Sequence, residues 1–349
     1  MDDIKQAIQA VVDGRDLSTD DAAAAMGIIM DGEATPAQFG AFVTALRMKG
    51  ETAEEIAGMA RSMREHSLHV DVDVPVTDIC GTGGTGQNEF NISTTSAFIA
   101  AGAGLKVAKH GNRAASGASG AADALEALGV KIDLDPSGVK RCLDEVGVAF
   151  MFAQAFHPSM RHAGPLRPQI GIRTVFNILG PLTNPAGAQN QVIGVAIPEL
   201  ALKMAEALTL LGTGHVLLVH GSDGSDKISV SGNTEVWEVI DGHVKKNRTR
   251  PADFNQPEGA PSHIRVNSVG ESIELVRGVL NGEGGGHNAP PAVERSARIV
   301  AIINAAAALY AGGLASSYHE AGAMAAKSVD SGAAAQKLDD LIRVSNESA

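Results

Sequence analysis

Residues 78–130 read DICGTGGTGQNEFNISTTSAFIAAGAGLKVAKHGNRAASGASGAADALEALGV, and this stretch decides the fold. It holds two Gly/Ser/Thr-rich turns, each after a short apolar run that reads as a strand and each before a helix-like segment. The first is Gly81-Thr82-Gly83-Gly84-Thr85-Gly86, leading to Asn91-Ile92-Ser93-Thr94. The second is Lys109-His110-Gly111-Asn112-Arg113, followed by a Ser/Gly/Ala segment over 114–122. A strand, a tight glycine turn and a helix start together aim unpaired backbone N–H groups at one spot, which makes an anion site best suited to phosphate. A single turn of this kind is ordinary loop chemistry. It is neither the dinucleotide fingerprint nor a Walker loop, because no GK[ST] follows. Two such turns in succession, the second rich in Lys, His, Asn and Arg, fit two phosphate-bearing ends of one ligand.

Upstream, residues 1–68 read as four short helices. Ser18, Thr35 and Thr52 are N-caps, and Thr35-Pro36-Ala37-Gln38 and Thr52-Ala53-Glu54-Glu55 have capping-box spacing. Ile56, Met59, Ala60 and Met63 recur at helical spacing, so one face is buried. From Val74 the period changes. Short apolar runs at 78–80, 106–108, 148–152, 191–196, 216–220, 227–230 and 235–240 alternate with helical stretches at 122–128, 136–146, 198–211 and 270–280. That alternation predicts a mostly parallel sheet with crossover helices. The expected class is therefore α/β: a small all-helical N-terminal domain (1–70) and a larger α/β domain (71–345) whose sheet is flanked by helices. The Pro/His/Arg-rich stretch 152–187 reads as connections that return to the helical domain and come back as a hinge. Residues 245–263 read as a polar surface excursion, and 282–291 (GEGGGHNAPP) as a flexible loop.

With 349 residues, 44% hydrophobic and 19% charged, the chain is long enough for two domains around a large core. Forty glycines and 3% aromatics suit helices that approach a sheet closely. A net charge of −12 and the lack of a Lys/Arg stripe argue against nucleic acid. Cys80 and Cys142 give no disulfide framework, and Met1-Asp2-Asp3 lacks the regions of a signal peptide, so a cytoplasmic protein is expected. The apolar run 299–315 is Ala/Gly-rich and interrupted by Asn304. It reads as a buried helix, with no membrane association expected.

In combination, GTGG-x-G…FNIST, KHGNRA and RTVFNILGPLTNPAG (173–187) resemble the anthranilate phosphoribosyltransferases over almost the whole chain. The resemblance implies transfer of a phosphoribosyl group from phosphoribosyl pyrophosphate (PRPP) to the amine of anthranilate, with pyrophosphate released and Mg²⁺ as cofactor. It implies a homodimer joined through the helical domain. Carried over by motif, Gly81, Gly84, Thr85 and Glu89, then Asn91, Ile92, Ser93 and Thr94, would border PRPP. So would Lys109, His110, Gly111, Asn112 and Arg113, with Ala114, Ala115, Ser116, Gly117 and Ala121 after them. Gly81, Asn112, Arg167, His110 and His157 would surround anthranilate, Arg167 pairing with its carboxylate. Ser93, Asp223, Asp226 and position 227 would face the metal.

This chain departs from the family pattern on the PRPP side. Thr85 stands where the first turn usually carries Asp, and Glu89 where a small hydroxy residue is usual. The run after KHGNR is usually Ser-Lys-Ser-Gly-Ser-like and here is Gly117-Ala118-Ser119-Gly120-Ala121. The usual metal-binding Asp-Glu pair is Asp226-Lys227, and an ammonium cannot ligate Mg²⁺. Three outcomes are open for the metal: Asp226 with Asp223 and Ser93 recruits a Mg²⁺ that arrives with PRPP, the Lys227 ammonium neutralises a pyrophosphate oxygen directly, or Lys227 points to solvent and the site is poorer. The alternative function is a diverged relative with an altered PRPP and metal site, acting on another aromatic acceptor or binding ligand without catalysis.

Overall fold

Local signals set the first four helices: α1 (Ile4–Val12), α2 (Thr19–Met30), α3 (Pro36–Lys49) and α4 (Ala53–Glu65). The Ser18 hydroxyl accepts from the Asp21 N–H, and both capping boxes form, Thr35 with Gln38 and Thr52 with Glu55. Each such cap contributes about 1 kcal/mol. Glu55 does more than cap: its buried carboxylate also accepts from the Leu17 N–H at 2.9 Å and from Lys49 Nζ at 3.0 Å. Phe39, Phe42 and Leu46 of α3 pack in the same core as Ile56, Met59, Ala60 and Met63 of α4. The computed structural model describes residues 3–114, 117–282 and 291–347. Ala115, Ser116 and most of the glycine-rich loop expected at 282–291 lie outside the described residues.

Among the described residues, seven strands form one sheet: β1 (Thr77–Gly81), β2 (Val107–Gly111), β3 (Val148–Phe152), β4 (Asn190–Gly194), β5 (Val216–Gly221), β6 (Thr234–Ile240) and β7 (His243–Thr249). Their order is β3-β2-β1-β4-β5-β6-β7. The first five are parallel, while β6 and β7 add antiparallel. The crossovers are α5 (Ile92–Gly102), α6 (Ala121–Leu128) and α7 (Pro136–Glu145), then α12 (Pro198–Leu210). Between β3 and β4 lie four one-turn helices, α8 (Ala153–Phe156), α9 (Met160–Ala163), α10 (Arg167–Ile170) and α11 (Phe176–Leu179). The C-terminal part is helical: α13 (Val269–Leu280), α14 (Pro291–Ala311), α15 (Tyr318–Asp330) and α16 (Ala333–Glu347).

The sheet separates two cores, and strand periodicity assigns side chains to them. On β5, Leu217 and Val219 face the core built by α5 and the C-terminal helices, while Val216 and Leu218 face the core of α1–α4 and α12. Ala163, Val175, Phe176, Ile178, Leu179 and Leu182, from 152–187, pack into that second core, and Phe176 stands 5.5 Å from Phe39 between ring centres. This apolar segment thus closes on the helical bundle as well as on the sheet. Of the apolar run 299–315 broken by Asn304, residues 299–311 lie in α14, with Ile299–Ile303 and Ala305–Leu309 buried, while 312–315 follow the helix and expose Leu314.

Two expectations are corrected. Residues 227–230 do not form a strand, because the Asn304 side chain and Thr234 satisfy backbone groups there that a ladder would otherwise pair. Residues 245–263 are not only a surface excursion: they begin in β7, an edge strand with exposed Lys245, Lys246 and Arg248, and continue into a turn that buries Phe254. Charges on an edge strand block pairing with another chain, so composition alone mimics a loop.

Candidate active site

The carboxyl ends of β1 and β2 open into a cleft of about 630 Å³, where ligands of parallel sheets commonly bind. It gathers both glycine turns, the start of α5, Arg167, Phe176 and Asn177, and the Asp226-Lys227 corner. A second depression of similar volume, between the start of α4, α12 and the β6–β7 hairpin, is lined by Glu51, Glu54 and Glu206. Its Lys203 ammonium is bonded to the Glu51 carbonyl at 2.7 Å, so no polar groups converge there on an anion.

The first turn needs its glycines. Gly83 and Gly84 have φ of +64° and +76°, left-handed values that cost an L side chain about 1–2 kcal/mol. Arg173 reaches over the turn and donates to the Gly84 carbonyl at 3.0 Å, so its guanidinium stands where a side chain at 84 would go. The Thr85 hydroxyl accepts from the Gln87 N–H at 3.1 Å, and Gln87 Nε2 donates to the Asp223 carbonyl at 2.7 Å. Asn91, the N-cap of α5, does not cap it with its side chain. Its amide oxygen accepts instead from the Ser119 and Ser272 hydroxyls, at 2.7 and 2.6 Å. The first turn of α5, with Ser93 and Thr94, therefore presents its N–H dipoles to the cleft.

The second turn is held mainly from within. Asp123, at the start of α6, accepts from the Ala114 and Gly120 N–H groups at 2.9 and 3.0 Å. Arg113 borders the cleft, but its guanidinium donates to Asp123 at 3.1 Å and Glu126 at 2.8 Å and lies 5.6 Å from the Phe152 ring. Both partners are carboxylates of α6, the crossover helix that follows the turn. Lys109 also turns inward, donating to the Ile79 carbonyl at 2.6 Å. Beneath it, Asp78 is buried and accepts from the His110 N–H at 3.1 Å and from Asn184 at 2.8 Å. Burial pushes the Asp78 carboxyl up and the Lys109 ammonium down, each opposed by attraction to the other.

Arg167 is half-buried over the Phe176 ring, 5.8 Å from its centre, and no carboxylate pairs with it among the described residues. Burial lowers its proton affinity from the ordinary value without threatening its charge. His110 and His157 lie with ring centres 5.1 Å apart, each with Nε2 unpartnered. Burial, then the neighbouring imidazole, lowers His110 to about 3, and burial lowers His157 to about 4. Both are neutral at neutral pH. Only His110 lines the cleft; His157 stands behind it, buried after α8 and hydrogen-bonded to the Thr183 backbone.

The Asp226-Lys227 corner faces Gly81. Asp226 Oδ2 accepts from the Gly83 N–H at 3.0 Å and Oδ1 from the Lys227 ammonium. Asp223 does not line the cleft, because its carboxylate is engaged by the Ser225 N–H at 3.2 Å and the Ser229 hydroxyl at 2.7 Å. Glu89 Oε2 accepts from the Ser225 hydroxyl at 3.1 Å. Burial, eased by Lys227, raises the Glu89 carboxyl. Among the described residues no group of three or more His, Cys, Asp or Glu is placed to hold a metal ion.

Of the expected residues that are described, all but His157 and Asp223 line this one cleft. Reading the sequence missed Arg173, Ser119 and Ser272. Arg173 and Ser119 lie inside quoted motifs and were open to recognition, whereas Ser272, on α13, carries no local signal.

Residues 73–335 match the glycosyl transferase family, a/b domain, and residues 5–67 its helical bundle domain. The chain is 53% identical over 343 residues to the anthranilate phosphoribosyltransferase of Chloroflexus aurantiacus, covering 98% of each. The crystal structure of anthranilate phosphoribosyltransferase from Thermus thermophilus superposes with a TM-score of 0.90 at 39% identity, covering 99% of this chain and 100% of that one. The Saccharomyces cerevisiae enzyme in complex with PRPP and Mg superposes at 0.88 with 30% identity, over 99% and 98%. With both domains matched and the cleft where two glycine turns meet an unpaired arginine, the chain belongs to the anthranilate phosphoribosyltransferase family of pentosyl-transferring enzymes.

Proposed function

We propose that the cleft transfers the phosphoribosyl group of PRPP to the amine of anthranilate and releases pyrophosphate. One observation carries the reading: an anion-binding wall and a half-buried guanidinium without a carboxylate partner line the same cavity. The bond from ribose C1 to the pyrophosphate oxygen breaks and its electron pair leaves with pyrophosphate. The amine nitrogen forms the new bond to C1, and its surplus proton goes to pyrophosphate or water. The developing charge sits on the leaving group, so stabilising it is the main work of the site. Gly81, Gly84 and the N–H groups at Ser93 and Thr94 border that end, with Asn91 fixed by Ser119 and Ser272. Arg167 would pair with the acceptor carboxylate, and Asn112 would orient it, holding the weakly nucleophilic amine in line. Neutral His110 presents an uncharged ring at this wall.

Mg²⁺ enters the reading through the yeast relative, solved with PRPP and Mg. The residues here do not fit a protein-held ion, because both oxygens of Asp226 are engaged, one of them by an ammonium. Mg²⁺ would therefore come with the substrate phosphates. The segment 152–187 would serve as the hinge between domains 1–70 and 71–345, since it packs in the helical core and lines the cleft. A homodimer through α1–α4 is supported by exposed Val12 and Met48, and a cytoplasmic home by two free thiols. No described helix is long and apolar enough to cross a membrane. Mixing the full-length protein with anthranilate, PRPP and Mg²⁺ tests the activity: anthranilate fluorescence should be consumed. Unchanged fluorescence would reject the transferase reading.

A further inference from the structure

The Asp226-Lys227 corner is unusual for a cleft wall, because it places an ammonium where an anion is to be bound. The Lys227 side chain is only 17% exposed, and a Cβ added to Gly81 would lie 3.4 Å from Nζ. Its loop is fixed from several directions. Asn304 of α14, itself buried, accepts from the Ile228 N–H at 3.0 Å and donates to the Ile228 carbonyl at 3.1 Å, and also to Val300 at 2.9 Å. Thr234 accepts from the Ser229 N–H at 2.9 Å. The Asp226 carbonyl presses so closely on Gly194 that no Cβ fits there. A lysine next to such a loop is aimed rather than left to solvent.

The charge arrangement fits that aim. The Lys227 ammonium is ion-paired with the Asp226 carboxylate, which also accepts from the Gly83 N–H at 3.0 Å. One of the three ammonium N–H groups donates to Asp226, leaving two donors for a ligand in the cleft. We propose that Lys227 is a resident cation for the diphosphate end of the ligand, supplying charge neutralisation that a protein-held divalent ion would otherwise provide, and that Asn304 is the positioning residue that aims it. This rests on the reading of the cleft as a PRPP site. The Lys227 ammonium donates to a terminal phosphate oxygen while Asp226, tied to Gly83, keeps it over the glycine turn. Glu89, on the opposite side, tethers the same loop through Ser225.

Calorimetric titration of the full-length protein with inorganic pyrophosphate, with Mg²⁺ and with EDTA, tests the proposal. The natural protein should bind pyrophosphate in EDTA within about threefold of its affinity in Mg²⁺. Lys227→Gln should lose about tenfold or more in EDTA, the scale of a charge-assisted hydrogen bond. Lys227→Arg should recover most of that loss, while anthranilate binding, read by its fluorescence, stays unchanged in both variants and shows that they are folded. Asn304→Leu should raise the KM for PRPP several-fold more than the KM for anthranilate. Binding by the natural protein that vanishes in EDTA but persists in Mg²⁺ would overturn the role of Lys227 alone. Equal EDTA binding by the natural protein and Lys227→Gln would do the same. Absence of pyrophosphate binding in either condition would bring down the PRPP reading and the proposal together.

Discussion

The two walls of the cleft are built on opposite principles. The wall proposed for the diphosphate is made of loops tied together by charge: Asp226 to Gly83 and Lys227, Glu89 to Ser225, Asp123 to the second turn. The wall proposed for the acceptor is nearly neutral, with uncharged His110 and Phe176 beside a single guanidinium and uncharged His157 behind them. A site that must disperse charge on a leaving group needs many fixed dipoles. A site that must orient one carboxylate needs one strong partner in a quiet background. The difference teaches that losses on the first wall should be spread over many groups, and losses on the second concentrated in Arg167.

Asp78 lies under both walls, and its removal should erase the contrast. Asp78→Ala leaves the His110 N–H, the Asn184 amide and buried Lys109 without their carboxylate. Stripping one partner from buried charge costs about 3–5 kcal/mol. Denaturant unfolding should show that loss, and the residual activity should be impaired for both substrates alike; a loss confined to one substrate would assign Asp78 to a single wall. Arg167→Ala should sharpen the comparison. Losing a charge-assisted pair costs about 1.5–3 kcal/mol, so kcat/KM for anthranilate should fall about ten- to a hundredfold while the KM for PRPP barely changes. Equal losses for both substrates would reject the role of Arg167.

The neutral histidines make the acceptor wall acid-sensitive. Their ordinary value is 6.5, and the folded values are about 3 for His110 and about 4 for His157. Below pH 6.5 the unfolded chain takes up protons that the folded chain refuses. The stabilisation is therefore complete above 6.5 and is lost as pH falls toward the folded values. At about pH 5 the loss is about 2 kcal/mol per histidine, at 1.36 kcal/mol per unit. The melting temperature should drop between about pH 7.5 and 5, and His157→Gln should make that drop smaller; an unchanged drop would exclude His157 as a source. Gly84→Ala should have the smallest effect, about 1–2 kcal/mol from its left-handed φ, with displacement of Arg173. It should raise the KM for PRPP more than that for anthranilate, and the reverse order would put the first turn on the wrong wall.

What could be read ahead was whatever depends on near neighbours in the chain. Ser18, Thr35 and Thr52 cap their helices because the groups they bond lie within three residues. The parallel strands and crossover helices follow from hydrophobic period, and the strand-turn-helix motifs fix where β1 and β2 deliver their glycines. Charged residues were harder to place. Arg113 sits in the right motif, yet its guanidinium goes to Asp123 and Glu126, since those carboxylates face it across the turn of α6. Asp223 is a candidate ligand by type, and the structure shows its oxygens accepting from the Ser225 N–H and the Ser229 hydroxyl, neighbours the motif alone does not mark as its partners.

The sequence by itself determined the helical caps, the α/β alternation and the family motifs, because those are local patterns of shape, period and hydrogen-bond capacity. Only the tertiary structure decided which charges face the cleft. Asn304 clamps Ile228 across 76 residues, Ser272 orients Asn91 across 181, and Asp226 meets Gly83 across 143. The physical reason is that a side chain's partner is chosen by what packing brings within hydrogen-bond reach, and no local pattern in the chain records that distance.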